Sequence, residues 1–253
     1  QRPGEVDMSS RASDDAVRSG ALVAGSVAQV VAPYLGTLAG LPTIDAVSRE
    51  HPALITPPGP FFAVWGPIFA ACGAAAVRQA LPANRGDETG RRTGWWLATA
   101  YAGNAAWEIL SVAGPYAATP ALLAGGIVAP TARAHGELQK VDDAPGVAVL
   151  ATGMLLGWTS VAAVLNVASA LRLDGRSRAS VAISAAALVG TGAVMREVVR
   201  RSRRGGLAVA ATAAWGLAGA AIGGRSSRLV STGGVAGGAL VADGVRQLLT
   251  RRR

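Results

Sequence analysis

An acidic residue stands inside an otherwise neutral, apolar stretch of the chain, where it is a candidate for ligand binding. Glu108 shares one face of the predicted helix with Tyr101 and Asn104, Ser111 continues that face, and Trp107 lies at its edge. Since an acidic group near the middle of a membrane costs about 2.5–3.5 kcal/mol on insertion scales, its carboxyl group should face a partner or a cavity. Two interpretations stay open: Glu108 lines a ligand pocket, or it is a protonated or hydrogen-bonded group that joins two helices.

A second polar face follows farther along the chain. Thr152, Thr159 and Asn166 recur at helical spacing, and Trp158 lies beside them. An indole can stack on a ligand while amide and hydroxyl groups bind its polar atoms, which suits a flat, largely apolar molecule. The alternative is that Asn104 and Asn166 only hydrogen-bond neighbouring helices, and these residues alone favour that alternative.

Residues for catalysis or metal binding are scarce. The two histidines, His51 and His135, are predicted on opposite sides of the membrane, and the single cysteine, Cys72, stands in an Ala- and Gly-rich helix where it packs. The sequence contains no Gly-rich phosphate loop and no nucleophile elbow. We therefore expect no metal site, no required cofactor and no enzymatic activity.

Membrane-spanning helices are the elements that would position these residues. Hydrophobic residues make up 51% of the chain and charged residues 15%, against roughly 25% charged in an average soluble domain. Apolar stretches of about twenty residues predict a polytopic, all-α transmembrane bundle. The predicted spans are residues 21–41, 61–81, 94–113, 120–138, 146–171, 179–199, 206–222 and 229–249. The last two are the weakest, so seven spans or a half-inserted last helix is the alternative.

Basic residues predict the orientation of this bundle, because Lys and Arg are retained on the cytoplasmic side. With eight spans, 18 of the 24 Lys and Arg residues fall on the side of the termini and six on the other side. We therefore expect a multi-pass cell-membrane protein with both termini in the cytoplasm and residues 42–60 outside. The net charge of +9 fits this topology and contact with anionic membrane lipids, so nucleic acid is not an expected partner.

Two segments are predicted to be irregular. Residues 1–20 lack an apolar core and are expected to form a disordered N-terminal tail. Four prolines lie among residues 57–67, and proline lacks the amide donor and disfavours helix in the residue before it. Residues 56–60 are therefore predicted to be an extended loop, with Pro67 as a kink just inside the helix that follows.

Three groups of residues, taken in order, resemble successive motifs of a known family. The first is Thr56-Pro57-Pro58-Gly59 followed by Phe62 and Trp65, the second is Asn104 with Trp107, and the third is the run Gly-Trp-Thr-Ser-Val-Ala at 157–162 with Asn166. Their order and spacing are similar to those of the TspO/MBR family, the tryptophan-rich sensory proteins related to the mitochondrial translocator protein. The resemblance covers residues 21–171. Residues 172–253 would be the C-terminal extension, with two or three further helices, of the family's longer branch, which the position of Trp65 also matches.

This resemblance implies a five-helix bundle whose pocket, capped by the loop between its first two helices, binds porphyrins and other tetrapyrroles, sterols or isoprenoid-like molecules. No Tyr followed closely by Lys or Arg comes after Asn166, so sterol binding is disfavoured. By motif position the loop and upper wall would contain Pro57, Pro58, Phe62 and Trp65, and the third and fifth helices would contribute Asn104, Trp107, Trp158 and Asn166. Tyr101 and Glu108 join this predicted ligand site through their shared helix face. Trp215, in the extension, is expected to lie outside it.

The function implied is that of a membrane sensor or regulator that binds a tetrapyrrole. Family members have been described as receptors, transporters, regulators and porphyrin-degrading enzymes, so the resemblance leaves the mechanism open. A transporter is one alternative, although the sequence shows no inverted repeat. A structural subunit of a larger membrane complex is another. Glycines at four-residue spacing are compatible with a homodimer or such a complex; they are Gly219 with Gly223, Gly233 with Gly237, and Gly234 with Gly238.

Overall fold

The computed structural model describes residues 3–251, without the side chains of residues 3–9 and 45. Arg2, Arg252 and Arg253, which were predicted on the inner side, lie outside the described residues. Within residues 3–251 the fold is all-α, as predicted, and contains no strand. The α-helices are α1 (Pro3–Leu38), α2 (Ile44–Glu50), α3 (Trp65–Ala80), α4 (Glu88–Ala113), α5 (Thr119–Leu122), α6 (Ala129–Leu138), α7 (Gly146–Ala170), α8 (Arg178–Arg201), α9 (Gly206–Gly223) and α10 (Arg228–Thr250).

Each of the eight predicted spans lies on helical structure. A 3₁₀-helix, Gly59–Val64, leads into α3, and a π-helical turn, Leu123–Val128, joins α5 to α6. Five helices are long and apolar enough to cross a membrane: Ser10–Leu38, Gly59–Ala80, Gly146–Ala170, Arg178–Arg201 and Gly206–Ser226. The third, fourth and eighth predicted spans are outside this set, so the number of crossings stays a prediction.

The disordered N-terminal tail is a wrong prediction. Helix α1 begins at Pro3, and Asp15, Arg18 and Ser19 are buried. Arg18 forms an ion pair with Asp15 and donates a hydrogen bond to the backbone carbonyl of Arg85, while Arg91 pairs with the same carboxylate at 2.7 Å. A search for apolar runs misses this segment because hydrogen bonds and charge pairs, and not hydrophobic burial, attach it to the α3–α4 connection.

Pro67 lies at the start of α3, and the kink expected there stays a prediction. The backbone is extended at Pro58, as expected for the proline-rich loop, and then forms the 3₁₀-helix. Because α3 begins at Trp65, Pro67 lies in the first turn, where a backbone N–H has no partner within the helix. Proline is tolerated at such a position without bending the helix.

Two apolar cores share one helix. The first core joins α1, α3, α4, α6 and α7 through residues such as Leu22, Ile68, Leu97 and Trp158. The second joins α7 to α8, α9 and α10 through residues such as Leu188 and Leu217. The first core matches the five-span grouping inferred from the sequence. The boundary at residues 171 and 172 stays a prediction, because α7 contributes to both cores.

Most glycines of the C-terminal pairs pack inside the chain, whereas a Cβ atom at Gly238 would have no atom within 4 Å. A Cβ atom at Gly233 would lie 2.9 Å from the backbone oxygen of Ala185, and one at Gly237 would lie 2.6 Å from that of Leu188. A Cβ atom at Gly234 would lie 2.6 Å from the Cβ atom of Ala221. These glycines therefore allow α8, α9 and α10 to approach one another closely within the chain. They do not support the homodimer, which stays a prediction.

Contacts bring the described parts of the predicted inner segments to one end of the bundle. These contacts join Asp15 to Arg91, Arg92 to Glu137, Gln139 to Arg203, and Arg200 to Arg251. At the other end, the backbone N–H of Leu54 donates to the carbonyl oxygen of Leu173 at 2.8 Å. Asp15 of the first helix and Arg251 at the end of the last helix therefore lie at the same end, as an even number of crossings requires.

We expect reporter fusions after Arg253 and within the α3–α4 connection at residues 85–87 to report the same, cytoplasmic side. The excess of basic residues at this end of the bundle is the physical reason. A fusion near Arg176 serves as the control and should report the outside. If the fusions after Arg253 and at residues 85–87 report opposite sides, one of the last two helices does not cross.

Candidate functional site

A cavity of about 490 Å³ lies between the proline-rich segment and helices α1, α2, α3, α4 and α7. Seven of the ten predicted site residues line it: Pro57, Phe62, Trp65, Trp107, Glu108, Trp158 and Asn166. They come from three separate parts of the chain, residues 57–65, 107–108 and 158–166. Sequence motifs far apart therefore converge on one space.

Three predicted site residues do not line this cavity. Tyr101 is fully buried in the first core with Cys72, two helical turns from Glu108. Asn104 is also fully buried, one turn before Glu108, and reaches the site only through that residue. Pro58 precedes the 3₁₀-helix and is half-buried away from the cavity. The helix face that Tyr101 and Glu108 share extends beyond the cavity. A position on this face therefore predicted more site residues than line the cavity.

Aromatic rings form one wall of the cavity. The rings of Trp65 and Trp158 meet edge to face, with centroids 5.9 Å apart and planes at 84°. Phe62 meets the Trp158 ring at 6.0 Å and 90°, and Phe69 stacks on Trp65 at 5.0 Å. Trp158 is 1% exposed, and its indole Nε1 has no hydrogen-bond partner within the described part of the chain. The wall can therefore stack on a planar ligand and donate one hydrogen bond to it.

Asn166 connects three elements at the edge of the cavity. Its Oδ1 accepts hydrogen bonds from Trp107 Nε1 at 3.1 Å and from Thr119 Oγ1 at 3.2 Å, and its Nδ2 donates to the Ala162 carbonyl at 3.1 Å. The helix-joining interpretation therefore applies to Asn166. The same bonds fix the Trp107 ring, which also lines the cavity.

Glu108 has one oxygen engaged and one unpaired. Asn104 Nδ2 donates to its Oε1 at 3.4 Å, and both residues lie on α4. Its Oε2 and the Oγ of Ser111 have no partner among the described residues, and both side chains line the cavity. The contacts of Glu108 therefore fit the pocket interpretation, since its hydrogen bond with Asn104 lies within one helix and joins no second helix.

Several lining residues were not expected from the sequence. The short helix α2 lies within the predicted outer loop, where Thr43 caps it by accepting from Ala46 N at 3.2 Å. Thr43 is a helix-start signal that could have revealed α2.

Tyr116 stacks on His51 at 4.1 Å, which connects α2 to the α4–α5 connection. Burial raises the pKa of the Tyr116 phenol above its usual value, so this lining group stays neutral. The unexpected lining residues are Pro33, Ile44, Val47, Ser48, Phe69, Tyr116 and Leu165.

Replacing Glu108 by Gln should leave expression intact and change ligand affinity by about three- to tenfold, the effect of roughly one hydrogen bond. It should also remove the pH dependence of binding that a carboxyl group confers. The control is Glu88→Gln on the same helix, because Glu88 is exposed and pairs with Arg92. Ligand titrations at several pH values, with thermal unfolding, measure both effects. Unchanged binding together with a lowered Tm would instead assign Glu108 to joining helices.

The described residues contain no group of three or more His, Cys, Asp or Glu side chains that could hold a metal ion. His135 does not line the cavity, and its ring forms a hydrogen bond with Ser202 at 2.8 Å. The polar chemistry of the cavity is therefore that of indole, hydroxyl, amide and carboxyl groups.

The chain matches a known protein family. A family model described as TSPO-like protein matches residues 21–245. No curated protein and no solved structure matches the chain. The family match includes the cavity and extends through α9 into α10.

Proposed function

Because the chain belongs to the TSPO-like protein family, we propose that it binds a porphyrin or a similar flat, hydrophobic tetrapyrrole in the aromatic cavity and acts as a sensor or regulator. Five helices of spanning length and the family match make it an integral, multi-pass membrane protein. Our proposal places it in the cell membrane, with both termini in the cytoplasm.

The observation that carries this proposal is the convergence of three indoles on one cavity. Trp65 comes from α3, Trp107 from α4 and Trp158 from α7. Stacking on such rings favours a planar, polarisable ligand over a flexible aliphatic chain. The volume of about 490 Å³ also falls within the range of about 300–1,000 Å³ of small-molecule pockets.

The polar groups of the cavity support a ligand with few polar atoms. Trp158 Nε1 can donate a hydrogen bond, Ser111 can donate or accept, and Glu108 Oε2 can accept or, when protonated, donate. These atoms are unpaired within the described residues, and burying them without partners is costly. A bound ring with a few polar atoms at its edge would supply the missing hydrogen bonds.

We propose binding rather than catalysis, because none of the lining residues forms a nucleophile–base pair in the described structure. Transport of the same ligand is the second candidate. The π-helical turn between α5 and α6 favours it, since irregular helices accompany functional sites in many membrane proteins. Uptake of a tetrapyrrole into proteoliposomes, above that of protein-free liposomes, would support transport over sensing.

The absorbance spectrum of a tetrapyrrole mixed with the purified protein in lipid nanodiscs tests the proposed binding. Transfer of the pigment into an aromatic, water-poor cavity should shift its absorbance band relative to the pigment in empty nanodiscs. Identical spectra in the two samples would reject this ligand class.

A further inference from the structure

Helix α9 contacts the segment that covers the cavity. We call residues 56–62 the cap, because Thr56, Pro57, Gly59 and Phe62 all line the cavity. Trp215 of α9 donates from its Nε1 to the carbonyl oxygen of Phe61 at 2.8 Å. Its ring also lies against the Phe61 ring, with centroids 4.7 Å apart. Trp215 therefore does not line the cavity, as expected, but it touches the cap.

Two glycines of α9 complete this contact. A Cβ atom at Gly219 would lie 2.7 Å from Phe61 Cδ1 and 3.0 Å from Pro57 Cβ. A Cβ atom at Gly223 would overlap the backbone oxygen of Thr56. The cap therefore lies directly on the backbone of α9, at distances that only glycine permits.

The cap is stiff, so one attachment affects its whole length. Pro57, Pro58 and Pro60 restrict the backbone, and the 3₁₀-helix continues from Gly59 to Val64. Phe62, at the cavity end of the cap, meets Trp158 only edge to face. Release of the α9 contact would therefore let the cap move as a unit and open the cavity.

We propose that the C-terminal extension acts as a clamp, in which Trp215, Gly219 and Gly223 are positioning residues that hold the cap over the cavity and slow ligand exchange. The effect on ligand exchange rests on the proposed function. The effect on cap position does not, since it follows from contacts between two parts of the chain.

The test uses the full chain in nanodiscs with a cysteine introduced by Thr56→Cys. Thr56 is half-buried, its backbone oxygen lies against Gly223 of α9, and Cys is close to Thr in size, so the new side chain fits. The native Cys72 is fully buried and provides an internal measure of core opening. The rate of maleimide labelling at position 56 then reports movement of the cap without any ligand.

Two opposite changes to α9 should have the same effect. Trp215→Leu removes the hydrogen bond and the ring contact, and Gly223→Ala adds a methyl group where the Thr56 carbonyl lies. Each should raise labelling at position 56 by about tenfold, equivalent to about 1.4 kcal/mol, and should speed dissociation of a bound porphyrin. Trp215→Phe, which keeps a ring but loses the donor, should have an intermediate effect.

Matched controls separate the clamp from general destabilisation. Gly238→Ala adds a methyl group to α10, where no atom lies within 4 Å, and Trp95→Leu removes a half-exposed indole from α4. Both should leave the labelling rate unchanged. Unchanged labelling in Trp215→Leu and Gly223→Ala, or equal exposure of Cys72, would overturn the clamp. Faster labelling in the two variants, together with no porphyrin binding by the chain without substitutions, would support the clamp and reject the proposed function.

Discussion

Replacing Trp158 by Ala is expected to weaken porphyrin binding by about 30- to 100-fold, or roughly 2 to 3 kcal/mol. Trp158 contacts both Trp65 and Phe62, so its loss removes the centre of the aromatic wall. It also removes the unpaired indole N–H. Ligand titration of the variant in nanodiscs, followed by the absorbance of the bound pigment, measures the change.

Trp95→Ala is the matched control for this prediction. Trp95 is 51% exposed on α4 and does not line the cavity, so its removal should leave affinity unchanged. Trp215 is unsuitable because it contacts the cap. Trp158→Phe should retain part of the affinity, since it keeps an aromatic ring. Equal losses in Trp158→Ala and Trp95→Ala would mean that the pigment binds elsewhere or partitions into lipid.

Replacing Asn166 by Leu is expected to lower the stability of the bundle by about 2 kcal/mol, since hydrogen bonds between membrane helices contribute roughly 0.6 to 2 kcal/mol each. The change leaves Trp107 Nε1 without its acceptor, whereas Thr119 Oγ1 can still donate to the Tyr116 carbonyl at 2.8 Å. Thermal unfolding in detergent or nanodiscs measures the loss. Ligand affinity should also fall, because the Trp107 ring would no longer be fixed at the edge of the cavity.

A double-mutant cycle provides the control for Asn166. Trp107→Phe removes one donor, so combining it with Asn166→Leu should cost less than the sum of the two single changes. Additive losses would show that the Trp107–Asn166 hydrogen bond is not formed in the membrane. Asn84→Leu, in the α3–α4 connection, tests whether loss of any buried or half-buried amide has the same effect.

The sequence predicted the helices well because long apolar runs with few charges fix where a chain enters lipid. It also brought Glu108, Trp158 and Asn166 to one site, since helical spacing puts polar side chains on a common face. The N-terminal helix was missed because Asp15 and Arg18 attach it through charge pairs rather than apolar burial.

Long-range backbone contacts explain the other omissions. Trp215 donates a hydrogen bond to the Phe61 carbonyl, and the absence of a side chain at Gly223 avoids overlap with the Thr56 carbonyl. Both contacts involve backbone atoms of a segment that is distant in sequence. A carbonyl group is common to every residue, so these contacts leave no local pattern of residue types. Tyr101 was included wrongly because spacing defines a helix face but not the depth at which a cavity begins.

Titration of the wild-type chain in nanodiscs with a porphyrin, followed by tryptophan fluorescence, tests the central claim most directly. Binding between the indoles of the cavity should quench the fluorescence saturably, with one porphyrin per chain and a Kd of about 1 μM, or roughly 8 kcal/mol. Quenching that keeps rising with porphyrin concentration and does not saturate, as partitioning of the pigment into lipid would cause, would contradict a ligand site in this cavity.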